Sequence, residues 1–204
     1  MPKSRDHWEQ VYTAKSETEV SWYQRYPERS LALIRSFAPD FAASILDVGG
    51  GASRLVDELL SHGYFDVTVL DVSDAALRRA TERLGHAAGT VNWITADITA
   101  WTPHRKWDVW HDRAVLHFLT ATEDQDAYVA ALTAATKPGS VAIISTFALD
   151  GPERCSGLPV QRYSPATLAA RIGRDFELIA EASEIHTTPS GSIQKFAYAT
   201  LRRR

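Results

Sequence analysis

The sequence predicts an α/β domain in which a mostly parallel sheet is covered by helices on both faces, and three observations predict it. Short apolar runs at 44–48, 67–70, 91–95, 107–110 and 141–147 alternate with amphipathic runs at 53–62, 74–84 and 123–136. That rhythm is the mark of strand–helix–strand units. Three consecutive glycines, Gly49-Gly50-Gly51, stand at the first strand-to-helix turn. The late run 193–201 sets Ile193, Lys195, Ala197 and Ala199 against Gln194, Phe196, Tyr198 and Thr200, the alternation of an antiparallel strand.

The elements follow in order. Trp8, Val11 and Tyr12 at helical spacing predict a first helix over 3–14, and Leu31, Leu33, Ile34 and Phe37 a second over 28–37, with Pro27 suited to its first turn. An aromatic connection, Glu19-Val20-Ser21-Trp22-Tyr23, joins them. Ser73 is placed to cap the helix 74–84, and Lys137-Pro138-Gly139 to end the helix 123–136. Residues 150–159 read as a loop, Ser164-Pro165 as the start of a helix to about 172, and 176–182 as a further strand.

At 204 residues the chain suits one such domain: residues 1–40 as a helical lid and 41–204 as the core. With 22 basic against 25 acidic side chains and a formal charge of -3, it has no basic field for nucleic acid. One cysteine, Cys155, excludes an internal disulfide. No apolar stretch approaches a membrane span, so a soluble, cytoplasmic protein is expected. His111, His117, Cys155 and His186 form no compact ligand motif, and no metal is expected.

The chemistry sits at the strand ends. Ile45-Leu46-Asp47-Val48-Gly49-Gly50-Gly51 runs from a buried strand into a turn where a ligand can lie against bare backbone, before a helix start with unpaired N–H groups. Asp71 ends the next strand, where its carboxylate can accept from both hydroxyls of a ribose. Asp97 ends the third and can accept from an adenine amino group. The three acids form a row along the carboxyl edge, where open α/β sheets bind ligands. A nicotinamide dinucleotide competes for such a row, but its third glycine would fall at Arg54, too bulky for close helix–strand packing.

This row resembles the class I, seven-stranded S-adenosylmethionine-dependent methyltransferases over roughly 45–147. The resemblance implies a seven-stranded sheet with an antiparallel last strand and S-adenosylmethionine as cofactor. It also implies that Asp47, Gly49 and Gly51 cradle the methionine half, Asp71 holds the ribose, Val72 packs on adenine, and Asp97 with Ile98 reads the adenine edge. Ser53 departs from a frequent third glycine and is read as a subgroup trait that leaves binding intact.

In that family the residues past the fourth strand flank the reacting methyl, which makes His111, Asp112 and His117 the catalytic candidates and Arg113 an acceptor-pocket residue. Leu116-His117-Phe118-Leu119 is similar to a segment of small-molecule methyltransferases. Asp112-Arg113-Ala114 is similar both to thiopurine S-methyltransferases and to elongation-factor lysine methyltransferases. Trp8 to Tyr12 and Ser21-Trp22-Tyr23 resemble the N-terminal segment of the lysine enzymes, and Trp22 is expected to face the sulfonium by the cation–π effect. Cys155, Arg162 and Tyr163 are expected in the acceptor wall, Cys155 as a passive thiol. The reading is methyl transfer to a small-molecule thiol or other nucleophile. The alternatives are a protein-lysine N-methyltransferase and an inactive cofactor-binding module.

Overall fold

The structure, a computed structural model, describes residues 2–204, with side chains from Arg5 onward; Met1 lies outside the described residues. Helices α1 (Pro2–Ala14) and α2 (Glu28–Phe37) precede β1 (Ile45–Val48), α3 (Leu55–Ser61), β2 (Val67–Asp71), α4 (Asp74–Leu84) and β3 (Val91–Thr95). Then come β4 (Trp107–Arg113), α5 (Thr122–Ala135) and β5 (Thr136–Phe147). A small hairpin, β6 (Arg154–Cys155) and β7 (Leu158–Pro159), precedes α6 (Pro165–Ile172), β8 (Phe176–Thr187) and β9 (Ile193–Arg203).

Seven strands form one sheet in the order β3-β2-β1-β4-β5-β9-β8, and only β9 runs against the others. The expected sheet with its reversed last strand is thus observed. The order turns back between β1 and β4, which opens a crevice beyond their carboxyl ends.

Strand periodicity of two sorts the core into two layers. Ile45, Val67, Val69, Val109, Val141 and Ile143 face α2 and α3 through Leu31, Ile34, Leu55 and Leu59. Leu46, Val48, Trp110, Ala142 and Ile144 face α5 and α6 through Tyr128, Leu132, Leu168 and Ile172. β1, buried on both faces, has no polar side to display.

Several boundaries differ from the sequence reading. α5 ends at Ala135 rather than at Lys137-Pro138-Gly139, because that turn belongs to β5. Thr136 pairs with Trp107 and Val141 with Val109, so 137–140 bulge outward, held by Ser140 Oγ donating to Trp107 O at 2.8 Å. β8 continues to Thr187 because it pairs with β9 along its whole length, contacts invisible to local pattern.

α1 is fastened by a remote cap. The Glu9 carboxylate accepts from Ser73 Oγ at 2.7 Å and from Ala75 N–H at 3.2 Å, at the first turn of α4. Glu17, in the connection, takes ion pairs from Arg54 and Arg83. Both sets tie the N-terminal segment over the crevice.

Candidate functional site

The turn after β1 has the shape that its glycines permit. Gly49 has φ +68°, and a Cβ there would lie 2.0 Å from the Val115 side chain. Gly51 has φ +39°, and its Cβ would lie 2.7 Å from Asp71 Oδ2. Any other residue would be strained and would fill the space beside the acid. The bare-backbone cradle therefore opens directly onto Asp71.

Val72, Asp97, Ile98 and Trp22 line the same crevice as Gly49 and Asp71. Asp97 accepts from Thr99 N–H at 2.9 Å and Thr99 Oγ1 at 2.7 Å. Asp71 is buried and accepts from Ser73 N–H at 2.8 Å. Burial pushes its carboxyl up to about 7, the Ser73 amide pulling it down and the nearby Asp47 charge pushing it further up.

The crevice has two lobes, of about 120 and 60 Å³. Tyr12, Trp22, Gly49 and Arg113 line both. Trp22 Nε1–H donates to Tyr12 Oη at 3.2 Å, and Trp8 stands edge-on to Trp22 and Phe118 at 5.5 and 4.9 Å between centroids. These rings close the top.

The residues proposed for chemistry are placed differently from expectation. His111 is buried between Asp47 and Ser30, Nδ1 lying 2.7 Å from Asp47 Oδ1 and Nε2 2.9 Å from Ser30 Oγ. Both ring nitrogens are engaged. The imidazole lines only the smaller lobe, where it holds Asp47. Asp112 lies one residue on, so strand alternation turns it to the opposite face. There, fully buried, it accepts from Tyr128 Oη at 2.6 Å, Val115 N–H at 2.7 Å and Leu116 N–H at 3.1 Å. Its carboxyl is pushed up to about 6 by burial against these donors. His117 is also fully buried, packed on Phe118 and Phe147, and burial followed by the Arg113 charge drives it down to about 3. Neither Asp112 nor His117 lines either lobe. In this structure Asp112 pins the turn after β4, and His117 is a neutral packing residue, both away from the crevice where they were expected.

The acceptor wall divides in the same way. Arg113 and Cys155 line the larger lobe, whereas Arg162 and Tyr163 do not. Arg162 donates to Gly151 O and Glu153 Oε1, which clamps the loop after β5, and Tyr163 is buried toward α6. Burial pushes the Cys155 thiol up to about 11, so it is a neutral lining group.

The sequence reading missed β8 and β9 as site-builders. Arg113 Nε donates to Tyr198 Oη at 3.2 Å and Nη2 to Glu184 Oε1 at 3.1 Å, while Tyr198 Oη donates to Glu184 Oε2 at 2.5 Å. The guanidinium lies 4.3 Å from the Phe196 centroid. The alternation of Gln194, Phe196 and Tyr198 was the signal; it needed the register with β5 to become a wall. Because β9 is reversed, its start and the turn 188–192 stand at the carboxyl edge beside the crevice. His186 reaches back from there, its Nε2 2.8 Å from Ser21 O. Among the described residues no group of His, Cys, Asp or Glu side chains is arranged to hold a metal, and no helix is long and apolar enough to cross a membrane.

A doubly wound sheet, a glycine cradle and acids at successive strand ends define the class I, Rossmann-like cofactor domains. Residues 45–139 match the family model described as a methyltransferase domain, and this match, the fold and the cradle together support a class I S-adenosylmethionine-dependent methyltransferase. It is 26% identical over 123 residues to an eEF1A lysine and N-terminal methyltransferase of Mus musculus, an alignment covering 60% of this chain and 17% of that protein. A structure titled for the conversion of a disulfide bond into a thioacetal group during echinomycin biosynthesis superposes with a TM-score of 0.78 at 21% identity, covering 98% of this chain and 92% of that one. The N-methyltransferase NodS from Bradyrhizobium japonicum, in complex with S-adenosylhomocysteine, gives 0.72 at 18% identity, covering 97% and 99%.

Proposed function

We propose that this chain methylates a small-molecule nucleophile, with S-adenosylmethionine held along the carboxyl edge of the sheet. The cofactor supplies, when bound, a methyl group activated on a sulfonium. The cradle beside Asp71 fits such a group, because a Cβ at Gly51 would occupy the space that a ribose needs. In this reading Asp47, steadied by His111, and the backbone at Gly49 and Gly51 hold the methionine half. Asp71 accepts from the ribose hydroxyls, Val72 packs on adenine, Asp97 and Ile98 meet the adenine edge, and Trp22 covers the sulfonium.

The observation that carries the small-molecule reading is the apolar lining of the larger lobe. Phe118, Phe147 and Phe196 line it beside Trp8 and Trp22, flat surfaces that suit a ring-sized guest better than a charged lysine side chain. Among the described residues no histidine lines that lobe. A lysine amine, with an ordinary pKa near 10.4, must lose a proton before it can attack, and the wall holds no imidazole to take it. What the chain's residues contribute is position and the exclusion of water.

Protein methylation is the second reading, favoured by the relatives named as lysine and N-terminal methyltransferases. Radiolabelled cofactor incubated with protein and cell extract separates the two. Label confined to the low-molecular-weight fraction is expected. A single labelled protein band, with no labelled small molecule, would replace the first reading by the second. Tight cofactor binding without label in either fraction would leave a binding module.

A further inference from the structure

Gln194 is, among the described residues, a large polar side chain of the acceptor wall that the fold leaves unused. It is 7% exposed, it lines the larger lobe, and its Oε1 is buried without a partner among the described residues. A buried carboxamide oxygen in this state forfeits its hydration without recompense, which an occupant of the lobe can repair.

Its surroundings restrict what that occupant is. Strand alternation puts Gln194 and Phe196 of β9 on one face of the sheet, with Phe147 directly opposite Phe196 on β5. The two rings meet at 4.9 Å between centroids, and Phe118 adds a third apolar wall. The cation that lines this lobe, Arg113, is already balanced by Glu184 and bound to Tyr198. The chamber therefore selects neither a cation nor an anion. It offers flat apolar surfaces and one carboxamide, which both donates and accepts.

Resting on the methyltransferase reading above, we infer that the acceptor is a neutral, planar heteroaromatic whose lactam-like N–H/C=O edge is read by the Gln194 amide between Phe147, Phe196 and Phe118. A carboxamide and a lactam present donor and acceptor in complementary order, so the pair can form two parallel hydrogen bonds. Recognition of this kind rejects an apolar ring of the same size far more strongly than shape alone does.

The test is binding, measured by calorimetry on the full chain saturated with S-adenosylhomocysteine, whose own binding is measured first. The probes are quinolin-2-one, naphthalene, benzoate and benzylamine. Quinolin-2-one is expected to bind at least tenfold more tightly than each of the others. Gln194→Leu is expected to erase its advantage over naphthalene while S-adenosylhomocysteine affinity stays unchanged. Gln194→Glu, which loses the donor, is expected to weaken quinolin-2-one in the same direction, and melting curves of both variants verify folding. Equal binding of quinolin-2-one and naphthalene, or an advantage that survives Gln194→Leu, overturns the inference. So does a preference for benzoate, which would assign the chamber to an anion at Arg113, or for benzylamine, which would assign it to a cation. If S-adenosylhomocysteine itself fails to bind, the donor reading falls and this inference with it.

Discussion

Asp71 carries opposing demands. Its carboxyl, raised by burial from 3.8 to about 7, favours the protonated form in the folded chain. Its contribution to stability is therefore complete below about pH 4 and is lost as pH rises through about 7. In the proposed reading a ribose donates to the ionised form, so cofactor affinity is expected to tighten several-fold between pH 6 and 8, measured by titration calorimetry. Asp71→Asn should stabilise the cofactor-free chain at pH 8 by roughly 2–4 kcal/mol in urea unfolding while weakening cofactor binding at least tenfold. Asp112 makes the contrasting case. Asp112→Ala strands three buried donors and should cost roughly 3 kcal/mol or more, with cofactor affinity of the folded fraction little changed. The sequence set Asp112 and Arg113 side by side as candidates. Only strand alternation in the finished sheet shows that neighbours in sequence serve opposite faces.

Among the elements, α1 is fastened to α4 by polar side-chain contacts as well as by Tyr12 packing on Ala75 and Ala76. Its Glu9 reinforces the local Ser73 cap of α4, whose hydroxyl accepts from Ala76 N–H at 3.2 Å, through a contact spanning sixty-odd positions that no capping pattern in the sequence announces. The Ser73 hydroxyl and Ala75 amide hold the Glu9 carboxyl below its ordinary value, outweighing the push of partial burial. Glu9→Gln should loosen the helix without unfolding the core. Limited trypsin cleavage after Lys15 is expected to accelerate several-fold, and bound cofactor is expected to leave faster. The strands and helices of the core were legible because each obeys its own period and each turn has its glycine, serine or proline. The small hairpin β6–β7 and the full reach of β8 were not, since their partners lie elsewhere in the chain.

At the scale of the molecule, buried ionisable groups set the acid response. His117, held down to about 3, contributes stability that is complete above about pH 6.5 and is lost as pH falls toward 3. Asp71 and Asp112 act in the opposite direction as pH falls from about 7 and 6. His117→Leu should therefore lose about 2–3 kcal/mol less than the parent chain when urea unfolding is compared at pH 7 and 4.5. The crevice proposed for the donor was readable from sequence because its lining comes from short runs of residues at strand ends. The acceptor half was not, because β4, β5, β8 and β9 each lend it one or two side chains, and only their register assembles them.

The reversal of β9 has an evolutionary corollary. It delivers a surface turn, 188–192, to the same rim as the glycine cradle, yet on strands that pair with none of β1, β2 and β3. Insertions or substitutions at that turn can retune which guest is admitted while the machinery for the shared donor stays intact, so new chemistries can arise by editing one tip of the scaffold.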